Sequence, residues 1–329
     1  MKASLVVSKN YTSRIIRAIE RANKSIFVLA LIIERDKDAA AIIDALVHAA
    51  ARGVNVSVMI DFSTYSFKGG HINPYYGYRD PVTSSRHLTN RLRAHGATVQ
   101  WLGQHNPFLF AGRTHSKWIV ADDHVFCFGG INLHADFTSD NDFMIEMIDP
   151  DIARVIATEH KAIADADNQE SAYVSKSISV PQGEILIDGG IPFDSIIYRR
   201  AVDITKDASE VLVVTQYCPT GRLAKNISVK SHRVYYNAPT TKDALTNGLI
   251  SFSERMTGLS NQYRGKNYLH AKFIIATYPN GQKTAITGSH NFISYGGLLG
   301  TREIGLMTSD NEIISLLESF YEQLIALQR

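Results

Sequence analysis

With 329 residues, 34 basic against 32 acidic side chains and a net charge of +2, the chain is long enough for two domains with ample cores. It is too evenly charged for strong non-specific attraction to nucleic acid or to an anionic membrane. Cys127 and Cys218 each sit in an apolar run without a C-x-x-C partner, which argues against a disulfide framework or a zinc site and for reduced thiols in a reducing compartment.

The N-terminal stretch lacks the apolar core of an export signal and reads as the start of the fold. Over 12–23, Ile15, Ile16, Ile19 and Ala22 share one helical face behind a Thr-Ser start. The run 25–33 reads as a buried strand, far short of the roughly 20 residues that span a bilayer. The expectation is therefore a cytoplasmic protein whose membrane contact is peripheral. An Ala-rich helix over 38–54, stopped by Gly53, leads into a second buried strand at 54–61. This order predicts a βαβ unit in a largely parallel sheet.

Periodicity then disappears, and Tyr65, Phe67, Tyr75, Tyr76 and Tyr78 form a long aromatic loop, a candidate pocket wall. A helix near 86–95 and a strand at 97–102 precede the stretch 113–132, "RTHSKWIVADDHVFCFGGIN". A strand at 142–149 and a helix at 150–166 close the first half.

The second half repeats this grammar: a helix near 194–207, a strand at 210–217, a helix at 220–227, a strand at 232–238, and the stretch 267–292, "NYLHAKFIIATYPNGQKTAITGSHNF". An amphipathic helix over 310–329 is expected to pack on the second sheet. Internal duplication is the economical explanation, with domains at 1–168 and 169–329.

The duplicated stretches carry the chemistry. Each sets His-x-Lys before an apolar strand and ends in Gly-(Gly/Ser)-x-Asn, so His115 and Lys117, and likewise His270 and Lys272, are expected to project from one strand face. An imidazole beside an ammonium suits a phosphate. The glycines, including Gly130, allow close backbone approach, while Asn132, Asn291 and Ser289 offer hydrogen-bond donors. A single His-x-Lys is weak evidence; two copies in a duplicated framework are strong. His124, His134 and His290 lack a lysine partner and read as structural or rim residues, and Cys127 as core. Signatures for nucleotide-binding loops, zinc proteases and serine hydrolases are absent from the sequence.

The pattern H-x-K with G-(G/S)-x-N, present twice and completed to H-x-K-x4-D in the first copy, resembles the phospholipase D superfamily, also called the HKD family. That resemblance implies an α/β fold of two similar sandwich lobes related by a pseudo-twofold, with the active site between them, and no cofactor or metal. One histidine would attack phosphorus, with His115 favoured, and the other would serve as general acid and base. Lys117, Lys272, Asn132 and Asn291 would hold the phosphoryl oxygens, and Asp142 and Glu303 would orient the histidines. Asp122 is the motif aspartate, expected to be architectural. Its counterpart is Thr277, a departure that keeps a degenerate, non-catalytic binding module in view.

The region 128–156 looks like the first motif of cardiolipin synthases, which favours a phospholipid substrate at a membrane surface, with apolar residues 106–112 as a contact. The alternative is a nuclease acting on single-stranded nucleic acid, drawing on the aromatic loop and on Arg86, Arg91, Arg93 and Arg113. No obligate protein partner is implied.

Overall fold

The computed structural model describes residues 3–33, 37–62, 81–103, 112–133, 138, 140–238, 248, 251–252, 254–255, 257–294 and 300–327, without the side chains of 81–84. The aromatic loop, all of 106–112 but Gly112, and His134 lie outside the described residues.

The first half runs β1 (Ala3–Val7), α1 (Ser8–Arg21), β2 (Ser25–Ala30), α2 (Lys37–Ala51), β3 (Asn55–Asp61), α3 (Pro81–Ala94), β4 (Thr98–Leu102), β5 (Trp118–Ala121), β6 (His124–Cys127), β7 (Phe143–Ile148) and α4 (Pro150–Asn168). The second runs β8 (Lys176–Val180), β9 (Gly183–Gly189), α5 (Ile196–Lys206), β10 (Glu210–Val214), α6 (Gly221–Ser228), β11 (Ser231–Tyr235), β12 (Phe273–Thr277), β13 (Lys283–Gly288), β14 (Arg302–Thr308) and α7 (Asn311–Ala326).

These strands build two sheets, ordered β1-β7-β6-β5-β2-β3-β4 and β11-β10-β12-β13-β14-β9-β8. Without β4 and β8, the second order read backwards is the first. Helices follow the same plan, since α1 and α5 precede β2 and β10, α2 and α6 follow them, and α4 and α7 follow β7 and β14.

The sheets are mixed, which corrects the expectation of a largely parallel one. β2, β3 and β4 are parallel, but β5 pairs antiparallel with β2 and β6, as β6 does with β7. The reason is local: only Asp122 and Asp123 connect β5 to β6, and so short a connection permits only an antiparallel hairpin. A second correction concerns the motifs. β5 begins at Trp118 and β12 at Phe273, so each His-x-Lys lies just before its strand rather than on it.

The chain divides into two compact units. One comprises Met1–Cys127, Ile131–Thr138 and Met144–Tyr173; the other comprises Phe128–Gly130, Ser139–Phe143 and Val174–Arg329. Each unit has its own core. In the first, α1 buries Tyr11, Ile15, Ala18 and Ile19 against Ile26, Val28, Val56 and Val58 of the sheet, each large aliphatic contributing roughly 1.5–3 kcal/mol. In the second, Ile197, Ala201 and Ile204 of α5 pack with Val211, Val213, Ile274 and Ile286. Helix starts are fixed by capping: Asp149 accepts the N–H groups of Asp151 and Ile152, and Asp310 those of Glu312 and Ile313.

Candidate active site

The second unit holds its half of the motif residues on three segments. Asp142, just before β7, is buried and accepts the Nδ1–H of His270 at 2.6 Å. Its other oxygen accepts the backbone N–H of Phe143 at 2.8 Å. Burial alone pushes the Asp142 pKa up, but His270, Lys272 and the Phe143 N–H outweigh it and hold the carboxyl below its ordinary value. An ionised carboxylate can only accept, so the imidazole proton sits on Nδ1 and Nε2 is left to react.

Lys272 is fully buried and donates through Nζ to the carbonyl of His270 at 2.5 Å. Burial pulls its pKa down to about 8, against the opposing pull of Asp142, Glu303 and Asp140. Backbone ties place this cluster: the N–H groups of His270 and Ala271 both donate to the carbonyl of Asn141, whose own N–H donates to Tyr268.

The glycines have specific reasons. A Cβ at Gly130 would stand 2.7 Å from Asp142 Oδ2 and 2.9 Å from Lys272 Nζ, and one at Gly288 only 2.2 Å from the carbonyl oxygen of Ile304. Gly130 thus makes room for the Asp142–Lys272 cluster, and Gly288 for the neighbouring strand. Ser289 gives its hydroxyl to Glu303 rather than leaving it open to a ligand, and accepts the N–H of Ile304. Asn291 is held by its carbonyl, which accepts the Thr215 hydroxyl at 3.1 Å, while its Oδ1 is buried without a partner among the described residues.

The first unit repeats the pattern. Lys117 is buried and donates through Nζ to the carbonyl of His115 at 2.5 Å, and Asn132 again has a buried Oδ1 without a partner among the described residues. Each of these oxygens can only accept a hydrogen bond, so a phosphoryl oxygen would have to be met by the amide NH2 instead.

Asp122 is engaged by backbone donors. In a left-handed turn at φ 53°, its carboxylate accepts the N–H groups of Asn23, Lys24 and Ser25 and ties the β5–β6 hairpin to the start of β2. Partial burial raises its pKa, but these donors, Asn23 first, bring it below the ordinary value. At the counterpart, the tie is made without a carboxylate. Thr277 extends β12 by one residue to pair with Glu210 and Lys283, and its carbonyl accepts both the N–H and the hydroxyl of Ser209. The inserted turn leaves the second motif's geometry supported by other bonds.

Two residues escaped the sequence reading. Asp61, at the end of β3, accepts the N–H of Thr114 at 2.8 Å, and Asn237, just past β11, accepts the N–H of Leu269 at 2.8 Å. Each is fully buried and clamps the residue before a motif histidine. Asn237 also donates to the carbonyls of Leu269 and Gln216, at 2.7 and 3.0 Å. Their only signal is a polar residue closing an apolar strand, in "SVMID" and "RVYYN".

Other histidines are occupied structurally. His124 bonds Glu146 at 2.7 Å, and His290 is buried with Nδ1 accepting the N–H of Phe292. His160 sits 2.9 Å from the Ser57 hydroxyl, but Trp118 Nε1–H donates to its Nδ1, so Nε2 carries the proton and cannot serve as a base toward Ser57. Cys127 is buried in β6 as expected. Among the described residues, no cluster of three histidine, cysteine or acidic side chains could hold a metal, and no helix is long and apolar enough to cross a membrane.

Residues 15–164 match the family described as "Cardiolipin synthase, PLD-like domain". Over that stretch, a little under half of the chain, the protein is similar to a phospholipase D-like domain. No curated protein matches the sequence. The chain is similar in fold to phosphatidylserine synthase from Haemophilus influenzae Rd KW20, at a TM-score of 0.71 and 15% identity over 98% of this chain and 85% of that one. It also resembles polyphosphate kinase from Porphyromonas gingivalis, at a TM-score of 0.63 and 11% identity over 100% of this chain and 50% of that one. At such identities the likeness is one of fold.

Proposed function

We propose that the protein transfers or hydrolyses phosphodiesters through a phosphohistidine, acting on phospholipids at a membrane surface. The observation that carries this reading is the Asp142–His270 pair beside buried Lys272, an oriented imidazole next to a fixed cation. Nε2 of His115 attacks phosphorus, while His270 gives its Nε2 proton to the leaving alcohol oxygen. Water or a second alcohol then returns a proton to His270 as its oxygen displaces His115. The same imidazole is acid in one step and base in the next. Lys117 and Lys272, with the amides of Asn132 and Asn291, balance the charge on the phosphoryl oxygens, which is the task a metal ion performs in other phosphodiesterases.

The lipid class rests on the cardiolipin synthase description of the family that residues 15–164 match. A mass-spectrometric product assay in EDTA tests it, with phosphatidylglycerol vesicles and, separately, single-stranded DNA given to wild type, His115→Ala and His270→Ala. Cardiolipin or phosphatidic acid formed by wild type alone supports the proposal. DNA fragments without lipid products would transfer it to a nuclease, and turnover by either histidine variant would overturn the assigned roles.

A further inference from the structure

The two units share the His-x-Lys machinery but differ in what surrounds it. Leu29 pairs with Trp118 in the first sheet and Val214 with Phe273 in the second. From those registers, Leu31 and Ile32 correspond to Gln216 and Tyr217, and Arg113 corresponds to Tyr268. Leu31 and Ile32 are buried aliphatics, whereas Gln216, Tyr217 and Tyr268 are half-buried and bonded to one another. Nε2 of Gln216 donates to the phenol oxygens of Tyr217 and Tyr268, at 2.9 and 2.8 Å.

This cluster adjoins the histidine. Tyr268 lies two residues before His270, and their rings stack at 6.3 Å with planes 29° apart. In the first unit the matching position holds the Arg113 guanidinium, 3.8 Å from Asp61. Burial drives the Tyr268 pKa well above that of an ordinary phenol, so the hydroxyl keeps its proton. The second unit therefore places uncharged hydroxyl and amide groups beside its imidazole, groups that both donate and accept hydrogen bonds. Such groups match the hydroxyls of a polyol; a second phosphate anion calls for fixed cations instead.

We propose that Gln216, Tyr217 and Tyr268 receive the alcohol that takes over the phosphoryl group, a glycerol-type polyol, and thereby set the balance between transfer and hydrolysis. This rests on the phosphodiester reading above. The acceptor hydroxyl gives its proton to Nε2 of His270 as its oxygen bonds to phosphorus; the bond from phosphorus to the other histidine breaks and its electron pair returns to that ring. Water in place of the alcohol makes the same step a hydrolysis.

The test supplies phosphatidylglycerol vesicles and deuterated glycerol to wild type, Gln216→Leu, Tyr217→Phe and Tyr268→Phe, and reads the ratio of transfer to hydrolysis. Labelled phosphatidylglycerol reports a free polyol as acceptor, cardiolipin reports the glycerol head group of a second lipid, and phosphatidic acid reports water. Either transfer product from wild type, with a ratio roughly three- to tenfold lower in the variants, is expected for the loss of one or two acceptor hydrogen bonds. A ratio unchanged in active variants, or hydrolysis alone by wild type, overturns the acceptor assignment while leaving the phosphodiester reading intact. No turnover by wild type on any phosphodiester would overturn that reading and this inference with it.

Discussion

Asp142 and His270 lie 128 positions apart in the chain and share a 2.6 Å hydrogen bond. The carboxylate that follows the first motif thus holds the histidine of the second, and both belong to one compact unit. Asp142→Asn keeps the shape but allows the amide to donate to Nδ1, which moves the ring proton onto Nε2 and removes the lone pair that must react. We expect kcat to fall on the order of 10²-fold or more, with folding retained. Turnover near the wild-type level would remove Asp142 from its orienting role.

Gly130→Ala addresses the same cluster from the backbone side. The added methyl would meet Asp142 Oδ2, the carbonyl of His270 and Lys272 Nζ, all at under 3 Å. Overpacking of this kind costs roughly 1–3 kcal/mol and displaces the groups that it strikes. Urea unfolding should show the loss of stability, and the product assay a loss of turnover larger than that loss explains.

Lys272 sets an alkaline limit. Its pKa is pulled down to about 8 by burial, so above that pH the free protein loses the ammonium that the proposed reaction would use to balance phosphoryl charge. We expect kcat/KM to fall about tenfold per pH unit above pH 8, well before an exposed lysine would titrate. A profile flat to pH 10 would mean that Lys272 stays charged or contributes nothing.

The half-sites were legible in sequence because the pattern is local: His270, Lys272, Gly288 and Asn291 stand at spacings close to those of their counterparts in the first half. Their partners were not. No sequence distance announces that Asp142 reaches His270, or that Asp61 and Asn237 each reach a backbone N–H on a distant segment. The strand order failed at one point, because apolar runs do not reveal direction and the two-residue turn at Asp122 does. β8, "KSISV", lies at the sheet edge with partly and fully exposed residues alternating, and gave too weak an apolar pattern to read.

Asn237 offers a test of those hidden clamps. Asn237→Asp preserves the bond accepted from the Leu269 N–H but loses the two donated to carbonyls, and it sets a buried carboxylate against those oxygens. We expect a loss of roughly 1–3 kcal/mol in denaturant unfolding. Asp61 accepts the Thr114 N–H through its carboxylate, and Asn can accept through its amide oxygen, so Asp61→Asn should be milder. Equal effects from both would argue against the clamp geometry.

Acid stability should depend on Glu146 of β7. Its buried carboxylate accepts from His124 at 2.7 Å, from Arg14 Nε at 3.0 Å and from the Ser4 hydroxyl at 2.8 Å, joining β7 to β6, α1 and β1. Burial raises the pKa, but His124 first, then Arg14 and Ser4, bring it down to about 2 from an ordinary value of 4.5. A carboxyl whose folded pKa is depressed stabilises the fold fully above its unfolded pKa and loses that contribution as pH falls toward the folded value. The window is therefore pH 4.5 down to about 2. The shift corresponds to a little over 3 kcal/mol, reduced to about 2 because Arg14 is partly exposed and screened by solvent. Glu146→Gln cannot titrate, so the gap in unfolding free energy between wild type and variant should be widest at pH 6 and narrow steadily below pH 4.5. Urea unfolding at pH 6, 4 and 3 measures it, and a gap independent of pH would show that the carboxylate network adds packing but no charge-linked stability.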